Sequence, residues 1–234
     1  RDLINGGFVG WGKKKDIAEL FDFSFKQPLQ DALLLYEGGG SKIVLDLGCG
    51  TGPVSLFCSQ NGYQTTGVDV SQTAVSKAYE LAKELGLSSK FICGDFVNGL
   101  TSLPRFSIII DSSFLHCIVF DEDRAKCLSR IYDLLEPGGI FILHTMTSDR
   151  SVDFGNNFEL DENGVLWCLY PSSQASEAKL GLKGLMSPQR RLLPSSVIEK
   201  QLNDLGFLKV KTEKLYSENL QEPITLFGTF KKPR

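Results

Sequence analysis

Ile43-Val44-Leu45-Asp46-Leu47-Gly48-Cys49-Gly50-Thr51-Gly52 decides how this chain is read. An apolar run ends in an acid, and three glycines follow at alternate positions. The pattern describes a buried parallel strand that feeds a tight loop, with a helix starting just beyond. Glycine stands where a Cβ would block a turn or hold a ligand off the backbone. Pro53 comes next and suits the first turn of a helix, where its missing N–H costs nothing.

Outward from that stretch, the chain alternates strand and helix. The first strand covers 42–47, and its helix runs to about 60, with Asn61-Gly62 as the stop. A second strand, 64–70, carries Asp69 near its end. Ser71 is a candidate N-cap for a helix whose apolar face is Ala74, Val75, Ala78, Leu81, Ala82 and Leu85, closed by Gly86. Strand three is 90–93, followed by Gly94-Asp95-Phe96. Strand four, 106–111, holds the unalternating run Ile108-Ile109-Ile110, which implies burial on both faces. Asp121 is expected to cap the next helix, and Pro137-Gly138-Gly139 to turn the chain into strand five, 140–145.

Residues 148–190 break the pattern. They are polar and irregular, and too long for an ordinary connection, so they are expected to be functional or partly structured. Ser196 and Glu199 have the spacing of a capping box for a last helix ending near Gly206. Two strands, about 208–215 and 224–230, follow so closely that they should pair antiparallel. Ahead of the first strand, Phe21, Phe23 and Phe25 crowd together, and a short helix is expected over 30–36. This aromatic segment reads equally as a lid or as an extra layer on the sheet.

One domain over 1–234 results, divided into an N-terminal lid or substrate segment (1–40), a core (41–147), an insertion (148–190), and a closing helix with antiparallel strands (191–234). The fold class is doubly wound α/β, with a seven-stranded, mostly parallel sheet ending in a C-terminal antiparallel pair. Ligands of such folds sit at the carboxyl ends of the strands.

Composition narrows the function. A net charge of −3 without a long basic block argues against nucleic acid and anionic membranes. No apolar run approaches a membrane span, and no apolar signal core stands at the start. The chain begins at Arg1, which reads as a trimmed start or the product of a removed segment. Six cysteines without C-x-x-C spacing, and only two histidines, make no zinc pattern. They read as reduced thiols of a cytoplasmic protein, with no metal expected.

The glycine loop departs from G-x-G-x-x-G, since Pro53 stands where the third glycine belongs, and it has no P-loop lysine. Asp46 beside it is ill suited to a pyrophosphate and well suited to a cation. Asp69 lies about twenty residues on, where an acid holds a ribose hydroxyl pair. Asp95, beside Phe96, is placed to take an adenine amino group. Three acids at three strand ends describe an adenosyl ligand without phosphates.

At this point the chain resembles the class I S-adenosylmethionine-dependent methyltransferases. Residues 44–52 are similar to their first motif, Gly67-Val68-Asp69-Val70-Ser71 to the second, Gly94-Asp95-Phe96 to the third, and Leu135-Glu136-Pro137-Gly138-Gly139 to the turn before strand five. The resemblance implies a Rossmann-like fold with S-adenosylmethionine as donor and S-adenosylhomocysteine as product. It also implies that Asp46, Gly48, Cys49 and Gly50 hold the methionine part, Asp69 the ribose, Asp95 and Phe96 the adenine, and that Val70 packs beside the nucleoside. Asp111 and Ser112 would line the methyl-transfer face. The N/D-P-P-Y motif of amino-methylating relatives is absent, since Asp111-Ser112-Ser113-Phe114 stands there. The stretch from Asp111 to Arg124 is loosely like the thiopurine and tellurite-resistance group.

Methyl transfer needs alignment, and a base only when the nucleophile arrives protonated. His116 is the candidate base, against the alternative that it is structural; His144, inside strand five, reads as structural. Arg150, Arg190 and Arg191 flank the insertion and suit an acidic substrate group or plain solvent. Trp11, Phe25, Phe154 and Trp167 are candidates for the lid or the substrate wall. The expected function is methylation of an S, O or N nucleophile on a small molecule. The rivals are a protein or peptide methyltransferase, a non-catalytic binder of the same cofactor, and, more distantly, a nicotinamide oxidoreductase.

Overall fold

The structure, a computed structural model, describes residues 19–38, 42–169, 179–181 and 184–234, the side chains of 179–181 excepted. In chain order come α1 (Lys26–Leu34), β1 (Ile43–Leu47), α2 (Pro53–Gln60), β2 (Gln64–Asp69), α3 (Gln72–Glu84), β3 (Lys90–Cys93), β4 (Phe106–Ser112), α4 (Asp121–Leu134) and β5 (Leu135–Met146). Then follow β6 (Phe158–Leu160), β7 (Val165–Leu169), β8 (Lys179–Gly181), β9 (Gly184–Arg191), α5 (Ser195–Asp204), β10 (Leu208–Leu215) and β11 (Thr225–Lys231).

The decisive stretch forms β1, and β2 and β4 flank it in parallel. The full order is β10-β11-β5-β4-β1-β2-β3, with β11 antiparallel to both β5 and β10. The chain runs outward from β1 to β3, then returns to β4 on the other side. The carboxyl ends of β1 and β4 therefore bound the crevice where the winding reverses. Apolar side chains cover both faces of the central strands, as their unalternating sequences require. Leu45, Phe106, Ile109 and Phe141 pack with α4 and α5, while Val44, Ile108, Ile110 and Ile142 pack with α1 and α2.

Local signals near β1 hold well. Pro53 opens α2 directly after Gly52, and Ser71 caps α3 by accepting from the Ala74 amide at 3.3 Å. Other expectations are corrected. Asp121 is the first residue of α4 rather than its cap, and its carboxylate pairs with Arg191 at 2.8 Å. The capping box at Ser196 does not form. Pro194 is the N-cap of α5, Glu199 pairs with Lys209 at 2.9 Å, and Asp149 accepts the Ser195 amide at 2.9 Å. Pro137-Gly138-Gly139 lies inside β5, which begins at Leu135, with a register shift against β4 between Phe106 and Ile108. The short helix expected over 30–36 is α1, which starts at Lys26.

The described part of the insertion is more ordered than its polar sequence implies. Its strands make a second antiparallel sheet, β6-β7-β9-β8. It leaves and rejoins the core at one point, where Thr147 bridges Leu193 and the Ser148 amide donates to the Leu193 carbonyl at 3.1 Å. Phe23 packs edge-on to Phe57 and Phe25 stacks on His144, so the described part of the N-terminal aromatic segment is a layer on the sheet. Trp11 lies outside the described residues. Among the described residues no helix is long and apolar enough to cross a membrane.

Candidate functional site

The loop after β1 takes the left-handed backbone its glycines permit, with φ of 65° at Gly48, 54° at Gly50 and 88° at Gly52. A Cβ on Gly48 would stand 3.0 Å from Cβ of Phe114. The Gly50 amide donates to Oδ2 of Asp69 at 2.9 Å, and the Ser71 amide to Oδ1 at 2.8 Å. One backbone bond per oxygen leaves each with further acceptor capacity. Val70, beside Asp69, is 70% exposed, an apolar side chain left open at the strand end. Cys49 instead turns inward: a Cβ on Gly67 would lie 2.8 Å from its Sγ, and burial raises the thiol.

Two further acids of the expected site are buried and hydrogen-bonded within the scaffold. Asp46 is fully buried, accepting from the Ser112 hydroxyl at 2.7 Å, the Ser55 hydroxyl at 2.7 Å and the Ser55 amide at 3.0 Å. It ties the end of β1 to α2 and β4. Desolvation pushes its carboxyl up to about 6, against the lowering effect of those hydrogen bonds. Ser55 was not singled out from the sequence, though a serine three residues into the helix after the loop is placed to reach back to the strand. Asp111, also fully buried, accepts from the Phe114 and Leu115 amides at 2.7 Å each, and burial raises it to about 7. It fixes the turn after β4, while Ser112 spends its hydroxyl on Asp46.

Asp95 is exposed at the end of β3, where its Oδ1 accepts from the Val97 and Asn98 amides at 2.7 and 3.1 Å. Phe96 points the other way. It is 2% exposed, edge-on to Phe114, with the Arg130 guanidinium 4.8 Å over its ring. A ring contact to an adenine therefore does not come from Phe96. Asp95, Asn98, Cys117, Ile118 and Pro188 line a cleft of about 260 Å³ between the ends of β3 and β4 and the insertion.

Above β4 lies a turn, Leu115–Cys117. Ser113, just ahead of it, has φ 72°, donates its amide to the His144 carbonyl at 2.9 Å, and holds His144 Nδ1 through its hydroxyl at 2.9 Å. His116 is 3% exposed; its Nδ1 accepts from the Met146 amide at 3.2 Å and faces the Thr145 hydroxyl at 3.2 Å. A ring nitrogen that accepts from an amide carries no proton, so the proton of the neutral ring is on Nε2. Burial first, then the charges of Arg190, His144 and Arg124, pushes His116 down to about 3. In this tautomer His116 is a neutral ring with its proton on Nε2, and the expected base role would need Nδ1 released from the Met146 amide. His144, likewise lowered to about 3 by burial, stacks 4.0 Å from Phe25.

The lid candidates separate. Phe25 is 6% exposed and belongs to the core. Phe154 is half-buried in the segment after β5, and Trp167 on β7 donates its Nε1–H to Asp161 at 2.8 Å. Arg191 bonds the Val119 carbonyl as well as Asp121, and Arg150 lies over the Tyr216 ring. Among the described residues no group of three or more His, Cys, Asp or Glu is arranged to hold a metal ion.

Comparison with known proteins adds an independent line. The family model described as a methyltransferase domain matches residues 44–139. A protein of Geobacillus sp. (strain WCH70), named only as a methyltransferase, is 30% identical over 156 residues, which cover 62% of this chain and 60% of that one. The 2-heptyl-1-hydroxyquinolin-4(1H)-one methyltransferase of Mycobacteroides abscessus is 36% identical over 147 residues, 61% of this chain and 63% of that one. The chain thus spans about three fifths of the length of these two curated relatives. Among solved structures, Burkholderia thailandensis 1,6-didemethyltoxoflavin-N1-methyltransferase, with bound 1,6-didemethyltoxoflavin and S-adenosylhomocysteine, superposes with a TM-score of 0.60 at 20% identity, over 88% of this chain and 78% of that one. At that identity the likeness is one of fold.

Proposed function

We propose that this chain is a class I S-adenosylmethionine-dependent methyltransferase, as the methyltransferase-domain match over residues 44–139 supports, and that it transfers a methyl group from S-adenosylmethionine to a small-molecule nucleophile by in-line displacement. The observation that carries the reading is the Asp69 carboxylate, locked to the Gly50 amide with acceptor capacity to spare and Val70 open beside it. A ribose diol needs such an acceptor, and an adenine such an apolar neighbour.

The residues fit that cofactor. The backbone of Gly48 and Gly50, with no side chain in the way, would lie along the methionine part. Asp69 would hold the ribose hydroxyls, Val70 would pack on the nucleoside, and Asp95 would take the adenine amino group. Asp46, Asp111, Ser55 and Ser112 hold the strand ends that carry these groups. The bound cofactor supplies a sulfonium methyl already activated for displacement. The chain's task is to align a nucleophile with it and to exclude water.

A small acceptor is supported by the insertion, whose strand β9 packs against the turn above β4. Two of the similar proteins are named for small heterocyclic acceptors. The six cysteines are all free thiols, which supports a reducing compartment, the cytoplasm. Isothermal titration with S-adenosylmethionine and S-adenosylhomocysteine tests the function; the reading fails if neither binds.

A further inference from the structure

Three arginines surround the turn Leu115–Cys117, and two are committed to the fold. Arg124 donates to the Leu115 carbonyl at 2.7 Å and the Ile118 carbonyl at 3.3 Å. Arg191 holds the Val119 carbonyl and Asp121. Arg190 differs. Among the described residues its one side-chain hydrogen bond runs from Nη1 to the carbonyl of its own neighbour, Gln189, at 2.7 Å. Among the described residues no carboxylate pairs with it, although it is half-buried. Gln189 is the extra residue of a bulge in the pairing of β9 with β7, where Leu166 faces Arg190 and Trp167 faces Pro188. Bulges re-aim side chains, and they recur beside active sites.

The groups that share this space with Arg190 are known. Its charge reaches His116 and Cys117 on the turn; His144 on β5 and Arg124 on α4 also face His116, and Asp111 and Asp69 act on Cys117. His116 has given Nδ1 to the Met146 amide, and no described residue accepts from Nε2–H. Two of the nearby acids are occupied, Asp111 by two amides and Asp46 by Ser55 and Ser112. Around the turn the described residues thus offer an N–H donor and a guanidinium, while the carboxylates with acceptor capacity, Asp69 and Asp95, stand at the strand ends assigned to the cofactor.

We infer that, on the methyltransferase reading above, the acceptor is an acidic O–H compound bound as its oxyanion, held by the Arg190 guanidinium and the His116 Nε2–H. Its acidity replaces the enzyme base. A lone pair of the oxyanion forms the O–CH₃ bond as the C–S bond breaks and its electron pair goes to sulfur. The negative charge of the acceptor and the positive charge of the sulfonium cancel, and no proton moves. Because the charge that binds the acceptor fades as the bond forms, Arg190 governs affinity and selection more than the barrier.

The test uses the full chain with 4-nitrophenol and 1-hydroxyquinolin-4-one as acidic acceptors, and phenol as the weakly acidic control. Binding is read by calorimetry in saturating S-adenosylhomocysteine, and turnover as a function of pH. The acidic acceptors should bind as anions and phenol should not. Each rate should rise with pH along that acceptor's own ionisation. Arg190→Gln should raise KM about 10- to 100-fold, as for loss of a charge-assisted hydrogen bond, with kcat little changed. S-adenosylhomocysteine affinity should stay the same, which also reports the fold, and Arg190→Lys should regain part of the loss. The inference is overturned by a pH midpoint that ignores the acceptor, by unchanged acceptor affinity in Arg190→Gln, or by no anion binding in protein that still binds S-adenosylhomocysteine. If S-adenosylhomocysteine itself does not bind, the methyltransferase reading falls first.

Discussion

The amide of Gly50 and the carboxylate of Asp69 stand 2.9 Å apart, so the glycine loop after β1 is fastened to the end of β2. One side chain thereby sets the loop's shape and offers the remaining lone pairs to a ligand. Asp69→Ala removes both roles, and S-adenosylhomocysteine affinity should fall about 10- to 100-fold, the worth of one or two charged hydrogen bonds. Asp69→Asn keeps one acceptor oxygen and should fall between. Calorimetry on the three proteins checks the order; equal affinities would remove Asp69 from the site.

Asp46 gives a pH signature of unusual sign. Its carboxyl is raised from 3.8 to about 6 in the fold, so the native state holds the proton more tightly than the unfolded chain. Across that window the unfolded chain releases its proton first, and the contribution of this group to stability falls as pH rises, then levels off. Asp46→Asn cannot titrate. In urea unfolding at pH 4, 5, 6 and 7, the stability of the natural protein relative to this variant should decline with pH. A flat or opposite trend would show that Asp46 is not raised.

Ser113 holds φ 72°, a conformation that costs a non-glycine residue about 1–2 kcal/mol, and its hydroxyl bonds His144. Alanine keeps the strain and loses the bond. Glycine loses the bond and the strain together. Ser113→Gly should therefore be more stable than Ser113→Ala by about 1 kcal/mol in denaturant unfolding. The reverse order would mean that the backbone here is relaxed.

His116 is the acceptor for the Met146 amide. Alanine leaves that N–H without a partner, at a cost of about 1–3 kcal/mol. Asparagine places a carbonyl oxygen near the position of Nδ1 and should recover part of the loss. Unfolding curves of the two variants decide it; equal destabilisation would mean that the Met146 amide finds another partner.

What the sequence disclosed, and what it hid, follows the range of the interactions involved. β1, α2, β3 and the Ser71 cap rest on neighbouring residues, and the structure has them where the pattern puts them. The capping box at Ser196 was misread because the partners of Glu199 and Ser195 come from Lys209 and from Asp149, forty-six residues away. The sheet in the insertion was missed because β6 and β7 are short and partly exposed, so alternation is faint. Asp46 was recognised as an acid beside the loop, but its burial under Ser55 and Ser112 depends on how strand ends meet in space. Phe96 failed for a like reason: adjacency to Asp95 does not say which way a ring turns.

The bridge between Thr147 and Leu193 has an evolutionary reading. A detour whose two ends already touch leaves the pairing of the main sheet independent of its length. It can be exchanged as a cassette where the replacement keeps the contacts that Arg191 makes with Val119 and Asp121. A chimaera that joins a related insertion at those two residues should melt near the parent temperature and bind the same donor. Selectivity for the second reactant can then drift faster than the scaffold that serves it.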